Sequence, residues 1–238
     1  MQLIRHLDID DLAERTAARA VNKLLELQAE GRIPQLCLSH GSLARKVYRT
    51  LAPALEASAV DASALEVWFS GDNFVSTDSH MRMAGSTLAL FAGHISFDPA
   101  RVHSLPAAEA SIDPAVAADS YSKELGDTQF DICILEVSPV GGVGGLSAAH
   151  QEITPGRAVA IIPKEDGSGE RLALTEKHLS NSQEVWMLAA GSELAEVFPQ
   201  ALAGDEGMPA GQVRGLSKTI WLADRQAAAN IPYFECGF

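Results

Sequence analysis

An unbroken apolar run that empties into a glycine-rich turn constrains this chain more than any other feature. Phe130-Asp-Ile-Cys-Ile-Leu-Glu-Val137 has the composition of a strand covered on both faces, and Ser138-Pro-Val-Gly-Gly-Val-Gly-Gly-Leu146 follows at its carboxyl end. Open α/β sheets place their functional loops at that end of a strand. The loop nevertheless carries almost no chemistry. From Ser138 to Ala149 there is no Asp, Glu, His, Lys, Arg or Cys.

Further strand-like runs alternate with helical ones. Leu3 to His6 predicts a strand, and Asp10 to Ala29 a helix with Leu12, Ala17, Ala20, Leu24 and Leu27 at helical spacing and Asp8 or Asp10 as its N-cap. Gln35 to Leu38 and Leu65 to Phe69 predict strands, with a helix from Leu43 to Leu55 between them. Helices are expected over Met83 to Phe91, Pro114 to Leu125, His178 to Asn181 and Glu193 to Leu202. Strands are expected over Ala158 to Pro163, Arg171 to Thr175, Val185 to Ala189 and Thr219 to Ala223, besides a short one after Asp98. No repeat or long linker interrupts the series. The alternation predicts one α/β domain over residues 1–238, Rossmann-like and three-layered, with a mostly parallel sheet and helices on both faces.

Charge and motif content exclude several classes of function. A net charge of −13 lacks the concentrated basic surface that a nucleic-acid partner demands, and it disfavours anionic membranes. No run reaches membrane-spanning length and the N-terminus lacks a secretory pattern, so the chain is expected to be cytoplasmic. Cys37, Cys133 and Cys236 form no metal-type pair, and no metal or cofactor is expected. The Gly141-Gly-Val-Gly-Gly145 run lacks G-x-G-x-x-G spacing, and no G-x-S-x-G elbow supports a serine hydrolase.

The segment from Phe130 to His150 resembles the second signature of the 6-phosphogluconolactonase family, approximately F-D-x-x-L-L-G-x-G-x-D-G-H-x-A-S-L-F-P-x-H. Phe130, Asp131, Leu135, Gly141, Leu146 and His150 match without a gap. The family's Asp falls on Val140, its His on Gly142, the Ser of A-S-L-F on Gly145 and the Phe on Ser147. Leu38-Ser-His-Gly-Ser-Leu-Ala44 resembles L-S-G-G-S-T-P, a strand-to-helix turn whose free amides suit a phosphate. Val67-Trp-Phe-Ser-Gly-Asp-Asn-Phe-Val75 resembles V-x-W-x-D-E-R-x-V, with Asn73 in place of the Arg. Pro163-Lys164 with Arg171-Leu-Ala-Leu-Thr175, and Gly191-Ser-Glu-Leu-Ala195 with Leu194 in place of a Lys, match in order, as does the closing stretch around Trp221 to Ala228.

The resemblance implies a superfamily that also holds glucosamine-phosphate deaminases and ribose-phosphate isomerases. Its expected ligand is a phosphorylated sugar or sugar acid, held by Ser39, Gly41, Ser42, Arg82 and Lys164. Its expected reaction is hydrolysis of 6-phosphoglucono-1,5-lactone to 6-phosphogluconate in the oxidative pentose-phosphate route. With Val140 and Gly142 at the catalytic positions, that activity is expected to be impaired. Only His40 and His150 lie near the signature loops as replacement bases, and the double change Val140→Asp with Gly142→His is expected to return some rate. The alternative is a catalytically silent homologue that binds a sugar phosphate or a protein partner in regulation or assembly.

Overall fold

A computed structural model describes residues 1–109, 112–147, 157–164 and 167–232. The chain opens with β1 (Gln2–His6) and the amphipathic helix α1 (Ile9–Ala29), in whose first turn the amides of Asp10 and Asp11 donate to the Asp8 carboxylate at 2.9 Å each. Next come β2 (Gln35–Leu38), α2 (Ser42–Glu56), β3 (Glu66–Phe69), the three-residue β4 (Gly71–Asn73), α3 (Met83–Leu88) and β5 (Val102–His103). Asp113 caps α4 (Pro114–Leu125), with Pro114 in the first turn where a missing amide costs nothing. The signature strand is β6 (Phe130–Glu136). β7 (Val159–Pro163) and β8 (Glu170–Leu174) form a hairpin, followed by α5 (Glu176–Ser180), β9 (Ser182–Ala189), α6 (Val197–Ala203), α7 (Pro209–Gln212) and β10 (Lys218–Asp224).

Seven strands make a wholly parallel sheet in the order β1-β10-β9-β6-β2-β3-β5. Two tryptophans establish that both of its faces are covered. Trp186 on β9 lies level with Ile220, and Trp221 is one residue further along β10, so the two rings point to opposite faces. Arg19 of α1 covers Trp186, whereas Phe198 of α6 meets Trp221 edge-on at 5.4 Å. Both rings are fully buried. Near the sheet centre β2 lies against β6, with Cys37 directly beside Cys133 and both thiols inaccessible.

β4, β8 and β7 form a second, antiparallel sheet. Among the expected elements, β4 is an addition, and the helix expected from Glu193 to Leu202 divides into a short 3-10 turn (Ser192–Leu194) and α6. Pro199 accounts for the division. It cannot donate an amide in a helix interior, and starting α6 at Val197 leaves it in the first turn.

Candidate functional site

Three strands end side by side at one edge of the parallel sheet, and their following loops meet there. β2 leads into Ser39–Gly41, β3 into β4, and β6 into Ser138–Leu146. The approach is close: a Cβ built on Gly71 would stand 2.6 Å from the Gly144 carbonyl, and one on Gly41 would overlap the Glu136 carboxylate. Tyr48, buried on α2, donates its hydroxyl to the Ser39 carbonyl at 2.9 Å and fixes the first of these turns. A cleft of about 570 Å³ opens between the loops and the β7–β8 hairpin.

His40, Gly41, Val140, Gly142 and Lys164 all line this cleft. Ser39 does not face it freely, because it is buried and its hydroxyl accepts the Glu136 amide at 3.1 Å. Ser42 borders an adjoining cavity of about 310 Å³. Arg82 lies elsewhere. Its guanidinium donates to the Leu105 carbonyl at 2.7 Å and stands 3.5 Å from the Asp72 carboxylate, which clamps the α3 region. His150 lies outside the described residues.

The loop after β6 is knitted to itself rather than left open. Ser138 and Gly142 exchange bonds, with the Ser138 amide on the Gly142 carbonyl and the Gly142 amide on the Ser138 hydroxyl, both at 2.9 Å. Val143 and Leu146 pair across the next turn at 2.8 and 3.1 Å. A Cβ on Gly142 would run into the Leu146 carbonyl. The expectation that Gly142→His returns catalysis therefore meets a steric obstacle: this turn has no room for an imidazole. Val140, by contrast, is 61% exposed at the loop tip.

His40 cannot easily serve as the missing base. Burial, and then the charge of Arg171, push its pKa down to about 4, against a hydrogen bond to the Gly71 backbone. The imidazole is neutral at pH 7 but a weak proton acceptor, some distance from the pKa that general-base catalysis favours. Its Nδ1 is buried and has no partner among the described residues.

Three site features escaped the residue-by-residue sequence reading. Glu136 falls where the signature quoted above has a glycine, and its carboxylate turns onto the start of α2. The Ala44 amide donates to it at 2.7 Å, and the amides of Leu43 and Ser42 with the Ser42 hydroxyl add to that. Gly41 offers no side chain to cap the helix, so Glu136 satisfies these donors from across the sheet. Burial raises the carboxyl's pKa, and those same hydrogen bonds oppose the rise. The second is Arg171 on β8, quoted above only as part of the hairpin match; it lines the cleft, and its Nε is buried without a partner among the described residues. Burial lowers its pKa, and the nearby Asp72 charge opposes the effect. The third is Asp72, whose buried carboxylate accepts amides from Asn73, Met83 and Ala84 and so caps α3.

Asp131, which matches the signature, is structural as well. It accepts the Gln35 amide at 2.9 Å and pairs with Arg32, tying β2 to β6. Among the described residues no group of His, Cys, Asp and Glu could hold a metal ion, and no helix is long and apolar enough to cross a membrane.

An open parallel sheet with a ligand-sized cleft at its carboxyl edge, flanked by a strand-to-helix turn, defines an α/β protein that binds its ligand at the ends of its strands. Residues 7–221 match the family described as glucosamine-6-phosphate isomerases/6-phosphogluconolactonase, and the chain belongs to that family. It is 28% identical over 247 residues to the 6-phosphogluconolactonase of Streptomyces coelicolor, covering 97% of this chain and 95% of that one. The 6-phosphogluconolactonase of Synechocystis is 26% identical, with 92% and 94% covered. Among solved structures, the Thermotoga maritima 6-phosphogluconolactonase superposes with a TM-score of 0.81 at 22% identity, covering 94% of this chain and 99% of that one. A monomeric glucosamine-6-phosphate deaminase superposes with a TM-score of 0.83 at 17% identity, covering 97% and 100%. At those identities the superpositions speak for the fold.

Proposed function

We propose that this chain is a 6-phosphogluconolactonase-like protein whose hydrolysis of 6-phosphoglucono-1,5-lactone has fallen close to the spontaneous rate. The observation that carries this reading is the loop after β6, which has Val140 and Gly142 where the family signature has a carboxylate and an imidazole. Lactone opening needs a base to take the attacking water's proton and donors aimed at the developing oxyanion. Lys164 and Arg171 remain as donors on the cleft wall. Among the described residues no base does, and loss of one positioned base costs about 10²–10⁴-fold. The Glu136 carboxylate is held on the start of α2 by the Ala44 amide, and His40 is too weakly basic.

The same features support the second reading, a homologue without turnover that holds a sugar phosphate or a protein partner in a regulatory or assembly role. The two readings share one assay, lactone disappearance against an enzyme-free control. The expected result is a rate within about tenfold of the control. A turnover of about 1–10³ s⁻¹, ordinary for metabolic enzymes, would sink the proposal, and loss of that rate in His40→Ala or His150→Ala would name the base.

A further inference from the structure

We infer that Glu136 is the residue that sets ligand charge in this cleft: its carboxylate takes the place of a ligand phosphate at the start of α2, so the site accepts an unphosphorylated sugar acid or lactone. This rests on the reading of the cleft as a sugar-acid site. Three observations converge. First, the Ala44 amide, which a helix start holds out to an anion, is already engaged by Glu136 at 2.7 Å, with the Ser42 and Leu43 amides beside the same carboxylate, which lies against Gly41 where a ligand oxygen would otherwise approach the backbone.

Second, the adjoining cavity that shares Glu136 and Ser42 is lined by two more carboxylates, Glu193 and Asp224, and among the described residues by no lysine or arginine; Leu194 contributes an apolar wall. A phosphate dianion placed there would face like charge, which disfavours it. Third, the cations sit on the other wall. Lys164 and Arg171 come from the β7–β8 hairpin, and the Arg171 Nε is buried without a partner among the described residues. One carboxylate-sized anion matches that side, and sugar hydroxyls can donate to the lone pairs of Glu136 left over by the α2 amides.

The test compares gluconate, 6-phosphogluconate and inorganic phosphate by titration calorimetry on wild type, Glu136→Gly and Glu136→Gln. Wild type is expected to bind gluconate at least as tightly as 6-phosphogluconate and to ignore inorganic phosphate at millimolar concentration. Glu136→Gly is expected to bind 6-phosphogluconate at least tenfold more tightly than wild type does and to acquire phosphate binding. Glu136→Gln retains an acceptor for the Ala44 amide, protects the fold, and is expected to shift the preference toward 6-phosphogluconate by a smaller factor. The inference is overturned if wild type binds 6-phosphogluconate tenfold better than gluconate, or if both variants fold and keep the wild-type preference. Absence of binding to every form overturns it too. Its failure is distinct from that of the proposed function: fast lactone turnover would defeat the silent reading while leaving the preference for unphosphorylated ligand intact.

Discussion

Gly142 and Val140 sit two residues apart and tolerate opposite things. Any Cβ at Gly142 meets the Leu146 carbonyl, whereas Val140 projects from the loop tip. Gly142→His is therefore expected to lower stability by about 1–3 kcal/mol, the usual range for forcing atoms into a packed site, while Val140→Asp stays within about 0.5 kcal/mol of wild type, as exposed substitutions do. The double variant should show no gain in lactone turnover; urea denaturation and the lactone assay check both halves, and a recovered rate would mean that the loop can reopen. What this loop lacks was legible in the sequence, because absence of a carboxylate or imidazole is a property of composition. What replaced it was not. Glu136 ends a strand in a position that reads as mere continuation, and only the three-dimensional meeting of β6 with the start of α2 gives its carboxylate a task. Arg82 shows the converse: an arginine matched by position alone turned out to serve the carbonyls of Leu105 and Pro106.

At the level of elements, local chemistry carried the sequence reading far. The period of α1, the cap at Asp8 and the span Pro114–Leu125 all follow from side chains a few residues apart. Asp8→Ala should cost about 1 kcal/mol through loss of the two amide bonds, with Asp8→Asn close to neutral; equal midpoints for Asp8→Ala and wild type in a denaturant titration would refute that assignment. β4 was missed because Gly-Asp-Asn has neither apolar alternation nor β-branched residues. It is a strand only because β8 lies alongside, so its existence depends on a partner nearly a hundred residues away.

The whole molecule couples these parts to pH. Burial lowers the pKa of His6, His40 and His178, so the unfolded chain binds protons more readily than the folded one below the ordinary histidine range. For His40 the window is set by its folded value of about 4: its contribution is complete above about pH 6.5, declines as pH falls, and levels off below about pH 4. Glu136 and Glu176, raised by burial, pull in the other direction over part of that range. His40→Asn should accordingly lose less thermal stability than wild type between pH 7 and pH 4.5, and parallel Tm curves would show that His40 carries none of the dependence. Strand order was the global feature least available to a local reading. β1 pairs with β10 from the opposite end of the chain, a partnership that periodicity could not encode. The neighbouring thiols of Cys37 and Cys133 give this sheet an internal witness. Burial holds the Cys37 thiol well above its usual pKa, and neither sulfur touches solvent. An electrophile reaches them only when the central strands part, so the pace of their alkylation records the lifetime of the entire fold rather than the breathing of any loop.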